Sequence, residues 1–153
     1  MPGIRFLLHC VLKIALYLCG MNPTLTVKTA GGQELLFFER GILPLWQLYN
    51  QAPAMLRGAF VEDKVTGLGA AVLMVAGGVG SYHTGVMSAA AKEWCDRHGL
   101  EGEADMIVPH IINRAGTGQC PLEERLSKTD ERSYLDEIEA FAKACLLYTS
   151  DAA

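Results

Sequence analysis

The stretch VEDKVTGLGAAVLMVAGG, residues 61–78, joins a short polar segment to an almost wholly apolar one. This order predicts the end of a strand, a turn at 63–67 and a helix over 67–76. The helix is apolar on every side, so we expect it to be buried, and Gly77-Gly78 is typical of a helix end. Ligands of α/β proteins bind beyond the carboxyl ends of strands, at junctions of this kind. The stretch therefore indicates an α/β fold and the place of a site.

The flanking sequence continues this alternation of strands and helices. Residues 24–29 (TLTVKT) and 34–39 (ELLFFE) are rich in β-forming residues around a glycine turn, which predicts a hairpin. The other expected elements are a helix over 42–50, strands at 58–62, 79–84 and 104–108, a helix that Ser88 caps and an acidic last helix over 133–144. The order predicts a three-layer α/β/α sandwich with a mixed sheet of about five strands.

The composition is that of one globular domain. The chain has 153 residues, half of them apolar and a fifth charged, which is enough to bury a core without disulfides or metal. Its net charge is −4 and it has no basic run, so nucleic acid is not an expected partner. The five cysteines are odd in number, widely spaced and never arranged as C-x-x-C. That pattern favours a reducing, cytoplasmic location.

The two ends of the chain need separate interpretation. Residues 1–20 are apolar, but His9 and Lys13 interrupt them and no cleavage site follows. An amphipathic first helix is therefore favoured over a signal peptide or membrane anchor, and no membrane partner is expected. Spurious upstream translation, with Met21 as the true start, is a further alternative. Residues 145–153 resemble a translated sequencing adapter, so we expect one natural domain over 1–144.

Three motifs stand out along the chain. They are DKVTG (63–67) followed by AAVLMVAGGV (70–79), GILPL (41–45) and VPHIINRAGTGQCPLE (108–123). Together they resemble the domain-of-unknown-function-1893 family over about residues 12–144. That family is similar in fold to the cytidine deaminases, so the resemblance implies a cytidine deaminase-like fold. It implies no activity, because the function of the family is not established.

The zinc motifs of true cytidine deaminases are missing from the sequence. Those enzymes need a His or Cys followed by x-E on one helix and P-C-x-x-C on the next, so that three ligands hold zinc and the Glu shuttles a proton. This chain has no H-x-E, C-x-E or C-x-x-C; residues 41–45 and 63–67 stand in the two slots. Zinc-dependent deamination is therefore not expected, and no metal or other cofactor is predicted.

The segment before the apolar helix is the first candidate site. A helix that starts near Gly67 offers unpaired amides and a partial positive charge to an anion. Lys64 adds a charge suited to phosphate, and Asp63 can orient Lys64 or accept from a ribose hydroxyl. Thr66 completes the predicted ligand set here. The structural alternative is that Asp63 caps the helix and pairs with Lys64 while the glycines serve packing.

The loop NRAGTG, residues 113–118, is the second candidate. Arg114 can bind a phosphate or carboxylate through two N–H groups. The other predicted ligand residues of this loop are Asn113, Gly116, Thr117 and Gly118. The alternative is a well-bonded loop that satisfies carbonyls at the end of the sheet. In the predicted fold the two motifs face one pocket.

Three functions follow as hypotheses. The first is binding of a small anionic ligand, either nucleotide-like or phosphorylated. The second is a metal-free enzyme for group transfer or hydrolysis that uses Asp63, Lys64 or Cys120. As a nucleophile Cys120 needs a lowered pKa and has His110 as a candidate partner, although a plain, partly buried thiol is favoured. The third is an interaction module without an active site. A homo-oligomer is expected by analogy with deaminase-like folds.

Overall fold

The computed structural model describes residues 20–151, with side chains only as far as residue 147. The first helix predicted over 1–20 therefore lies outside the described residues, except for Gly20. The strands are β1 (Leu25–Lys28), β2 (Glu34–Phe37), β3 (Phe60–Thr66), β4 (Ser81–Ser88) and β5 (Glu101–Val108). The helices are α1 (Leu43–Gln51), α2 (Leu68–Ala76), α3 (Ala89–Arg97), α4 (Pro121–Ser127) and α5 (Tyr134–Asp151), with short 3-10 turns at Pro53–Met55 and Glu131–Ser133.

The five strands form one mixed sheet in the order β2-β1-β3-β4-β5. β1 is antiparallel to both of its neighbours, whereas β3, β4 and β5 run parallel. Because β3, β4 and β5 are adjacent in chain order, right-handed crossovers place α2 and α3 on the same face of the sheet. The predicted α/β class and mixed five-stranded sheet are confirmed, and a three-layer arrangement is compatible with this topology.

Helix α2 is buried along most of its length, as its apolar sequence predicts. Its Leu73 and Met74 are fully buried. A Cβ placed on Gly69 would lie 2.6 Å from Cδ2 of Leu122, so the glycine lets α4 pack directly on the first turn of α2. The helix ends at the predicted glycine pair, in which Gly78 has a φ of +74°.

Strand β3 is longer than predicted. Asp63 and Lys64, expected in a turn, belong to the strand, and Asp63 lies opposite Leu25 of β1 and Thr84 of β4. The prediction was wrong because an Asp-Lys pair is typical of a turn, whereas neighbouring strands on both sides hold this backbone extended. The start of α2 therefore follows the strand at once, with only Gly67 between them.

The ladder between β3 and β4 has a break near its end. The paired positions skip Lys64 and Gly85, and a Cβ on Gly85 would lie 2.9 Å from the carbonyl oxygen of Lys64. The fully buried residues of β4 are Thr84 before the break and Met87 and Ser88 after it, so Thr84 and Met87 are three positions apart instead of two. The inward and outward alternation of the strand thus shifts at this point.

The remaining elements agree only in part with the sequence prediction. Ser88 caps α3 as predicted, because its Oγ accepts from the N–H of Ala91 at 3.2 Å. β4 and β5 are longer than predicted, and the short helix α4 was missed. The last helix continues to Asp151, into the segment interpreted as adapter-derived. Of the helices within residues 20–151, none is both long and apolar enough to span a membrane.

Candidate functional site

The start of α2 is closed by a carboxylate that the sequence analysis did not single out. Glu123, in the first turn of α4, is almost completely buried. Its Oε2 accepts from the N–H of Leu68 at 2.9 Å and from the hydroxyl of Ser88 at 2.7 Å. Its Oε1 accepts from the N–H of Ile111 at 3.0 Å. One side chain therefore joins the starts of α2, α3 and α4 to the segment after β5.

The anion site predicted at the start of α2 is therefore already filled. A Cβ placed on Gly67 would lie 3.1 Å from Oε2 of Glu123, which leaves little room for a ligand there. Thr66 is fully buried and uses its hydroxyl inside the sheet. The amide of Leu68 binds the protein's own carboxylate. This geometry moves any anion site away from Thr66 and Gly67.

Asp63 occupies a partly buried position beside Thr84. Its Oδ1 accepts from the N–H of Val65 at 3.4 Å, and its Oδ2 lies 3.3 Å from Oγ1 of Thr66. Burial raises the pKa of the Asp63 carboxyl to about 7, against the opposing effect of these hydrogen bonds. The structure places Lys64 in the exposed part of the strand, and no ion pair joins it to Asp63 or to any other described residue.

The glycine-rich loop after β5 is closed by its own hydrogen bonds. The N–H of Asn113 donates to the carbonyl of Gly118 at 2.8 Å, and Oδ1 of Asn113 accepts from the N–H of Thr117 at 3.0 Å. Gly116 turns the chain between them with a φ of +70°. These contacts match the well-bonded loop that the sequence analysis gave as an alternative. They leave Arg114 exposed at the surface of the loop.

Arg114 lies against the start of α1, a place that was not predicted as a ligand site. A Cβ placed on Gly41 would be 3.9 Å from Nη2 of Arg114. Gly41 has a φ of +89°, a conformation that favours glycine, and it turns the chain into the helix. No side chain caps α1, its first turn has no acidic residue, and Arg114 has no ion pair among the described residues. An unpaired guanidinium beside an uncapped helix start favours an anion.

Cys120 is partly buried at the start of α4 and is held by its backbone. Its N–H donates to the carbonyl of Ile111 at 2.7 Å. His110, the predicted partner, lies with Nδ1 at 3.3 Å from Nε2 of Gln119 instead. Within the described part of the chain, no base is hydrogen-bonded to the Cys120 thiol. This arrangement gives no support to a nucleophilic cysteine.

Two further observations concern metal ligands and surface grooves. Within residues 20–147, no group of three His, Cys, Asp or Glu side chains is placed to hold a metal ion. A shallow groove of about 550 Å³ lies at the opposite end of the parallel strands, and its polar and aromatic lining includes Phe60, Ser81, His83, Glu101 and Glu103. None of the predicted site residues lines that groove.

Comparison with known proteins gives a family and a fold. The sequence model of a family described as a domain of unknown function (DUF1893) matches residues 21–141. The solved structure of a DUF1893 family protein from Thermotoga maritima is similar, with a TM-score of 0.71 and 22% identity over 92% of this chain and 90% of that chain. Comparison with curated proteins gives no match. Neither match names a cytidine deaminase.

Proposed function

The chain belongs to the family described as a domain of unknown function (DUF1893), and we propose that it binds a small anionic ligand between Arg114 and the start of α1. The ligand class is a nucleotide-like or phosphorylated small molecule. The observation that carries the proposal is the guanidinium of Arg114 next to Gly41, which forms no ion pair with any described residue. Arg114 remains a ligand residue, as predicted from the sequence. The start of α1, instead of the start of α2, supplies the other half of the proposed site.

The start of α1 has the donors that such a ligand needs. The first helical bond runs from the N–H of Trp46 to the carbonyl of Ile42 at 2.9 Å, so the earlier amides have no helical partner. Because Pro44 has no N–H, the N–H groups of Ile42 and Leu43 are the ones nearest the start of the helix. A phosphate group at this place accepts from these amides and from Arg114 together.

An Arg114→Gln variant is expected to bind inorganic pyrophosphate and adenosine diphosphate about 10–100-fold more weakly than the unaltered protein. The reason is the loss of a charge-assisted hydrogen-bond pair, worth about 1.5–3 kcal/mol. Isothermal titration calorimetry at fixed salt measures both affinities.

The matched control is Arg132→Gln, which removes the same charge from another exposed arginine. We expect this variant to bind both compounds like the unaltered protein. Equal weakening in the two variants would show a long-range effect of net charge and refute the site. Unchanged affinity in Arg114→Gln would refute it as well.

A second candidate function is a metal-free enzyme that uses Asp63, which is partly buried beside Thr84. The pKa of Asp63 is raised to about 7, which suits a general acid or base at neutral pH. Lys64 is exposed nearby, whereas Cys120 lacks a bonded base among the described residues. Asp63 is therefore the residue on which this alternative depends.

The setting of the domain is proposed from the sequence. The scattered cysteines support a cytoplasmic location, and a homo-oligomer is proposed by analogy with deaminase-like folds. No cofactor is part of the proposed binding function.

A further inference from the structure

Three oxygen contacts form a chain across β3 and β4. Oδ2 of Asp63 lies 3.3 Å from Oγ1 of Thr66, and Oγ1 of Thr66 lies 2.9 Å from Oγ1 of Thr84. Oγ1 of Thr84 lies 3.1 Å from the carbonyl oxygen of Val86. Both threonines are fully buried, so water cannot replace a missing partner of either hydroxyl.

The number of hydrogens decides the protonation state that fits these contacts. Each contact needs one hydrogen between its two oxygens, and each threonine hydroxyl supplies one. The carbonyl of Val86 supplies none. The two hydroxyl hydrogens therefore satisfy only two of the three contacts, and the hydrogen for the third contact must come from Asp63. An ionised Asp63 would leave two acceptor oxygens facing each other without a donor.

The other oxygen of Asp63 fits the same assignment. Oδ1 accepts from the N–H of Val65, as the carbonyl oxygen of a neutral acid does. Oδ2 then carries the proton and donates to Thr66, Thr66 donates to Thr84, and Thr84 donates to Val86. All three hydrogens point the same way along the chain, and every contact is satisfied.

We infer that Asp63 is a neutral carboxylic acid in this fold, and that its ionisation breaks one contact of the Asp63–Thr66–Thr84–Val86 chain. This chain lies next to the skipped positions Lys64 and Gly85, where β3 and β4 are already unpaired. Loss of a contact loosens the end of the sheet just before α2 begins. The Asp63–Thr66–Thr84–Val86 hydrogen-bond chain is thus a pH-sensitive switch, independent of the proposed anion site.

None of the described residues around Asp63 offers a charge that would hold it ionised. On β3, Glu62 is bound to Lys28 at 3.2 Å and Lys64 is exposed. The cross-strand neighbours of Asp63 are Leu25 and Thr84. On the helix side, the carboxylate of Glu123 is taken up by Leu68, Ser88 and Ile111. Burial, which raises the pKa of Asp63 to about 7, agrees with the hydrogen count.

Two isosteric variants distinguish the effect of these hydrogen bonds on the pKa of Asp63 from the effect of burial alone. Thr84→Val leaves the hydrogen of Thr66 free for Asp63, so the pKa of Asp63 is expected to fall by about one unit. Thr66→Val removes the oxygen that accepts the proton of the neutral Asp63 acid, so the pKa is again expected to fall. Carbon NMR of protein labelled at the aspartate carboxyls measures both values, with Asp63→Asn to assign the signal. Burial alone would raise the pKa in both variants, and this outcome overturns the inference.

Stability against pH tests the inference if a threonine variant does not fold. The folded state holds the Asp63 proton to a higher pH than the unfolded chain does, so stability falls as pH rises from about 4 to about 7 and then levels off. This effect lowers the folding equilibrium constant by up to about tenfold per pH unit in that window. Asp63→Asn keeps a hydrogen donor towards Thr66 and is expected to lack this decline. An equal decline in both proteins, or an Asp63 signal that titrates near 4, overturns the inference.

Discussion

Replacement of Glu123 by alanine is expected to lower the free energy of unfolding by about 3–5 kcal/mol. The variant leaves the N–H groups of Leu68 and Ile111 and the hydroxyl of Ser88 without their acceptor. Each buried donor that loses its partner costs about 1–3 kcal/mol. Urea denaturation followed by circular dichroism measures the difference.

Glu124→Ala is the matched control, because it removes the neighbouring carboxylate of the same helix. Among the described residues the Glu124 side chain forms an exposed pair with Lys128 alone, and we expect a loss of less than about 0.5 kcal/mol. Added formate is expected to restore part of the stability of Glu123→Ala, because it fits the vacated donors. Equal and small effects of the two alanine variants would mean that Glu123 does not join the helix starts.

A Gly102→Ala variant is expected to lose about 2–3 kcal/mol of stability. Gly102 of β5 lies opposite Tyr82 of β4, and a Cβ on Gly102 would lie 2.4 Å from Cδ1 of the Tyr82 ring. The ring is buried and close-packed, so the added methyl group forces it from its place. Thermal and urea unfolding measure the loss.

A double-mutant cycle isolates this clash. In a Tyr82→Leu background the ring is absent, and Gly102→Ala is expected to be neutral or to stabilise by about 0.5–1 kcal/mol, as Gly→Ala does inside a strand without a clash. The same loss in both backgrounds would show that the contact with Tyr82 is not the cause.

Much of the fold was predictable, because its signals are local. The hairpin of β1 and β2 follows from alternation around a glycine turn, and the buried α2 follows from nine residues without a charge. Ser88 shows its capping role by its position before a helical segment. Such features depend on residues a few positions apart, which a sequence displays directly.

The candidate site was predictable only in part, because its contacts are distant along the chain. Glu123 reaches Leu68 across 55 positions, and nothing near Glu123 distinguishes it from the exposed Glu124. Asp63 was assigned to a turn because its strand partners come from other parts of the chain. Arg114 was singled out in its loop, but its neighbour Gly41 was not. The cytidine deaminase-like fold stays a prediction.

Glu123 closes the start of α2, and the proposed anion site lies between Arg114 and the start of α1. Amide NMR of labelled protein titrated with inorganic pyrophosphate tests this arrangement most directly. We expect the signals of Gly41, Ile42 and Arg114 to shift while that of Leu68 stays in place. Shifts confined to residues 66–69, or no shift at any residue, would contradict the account, and the second result would favour an interaction module without a ligand site.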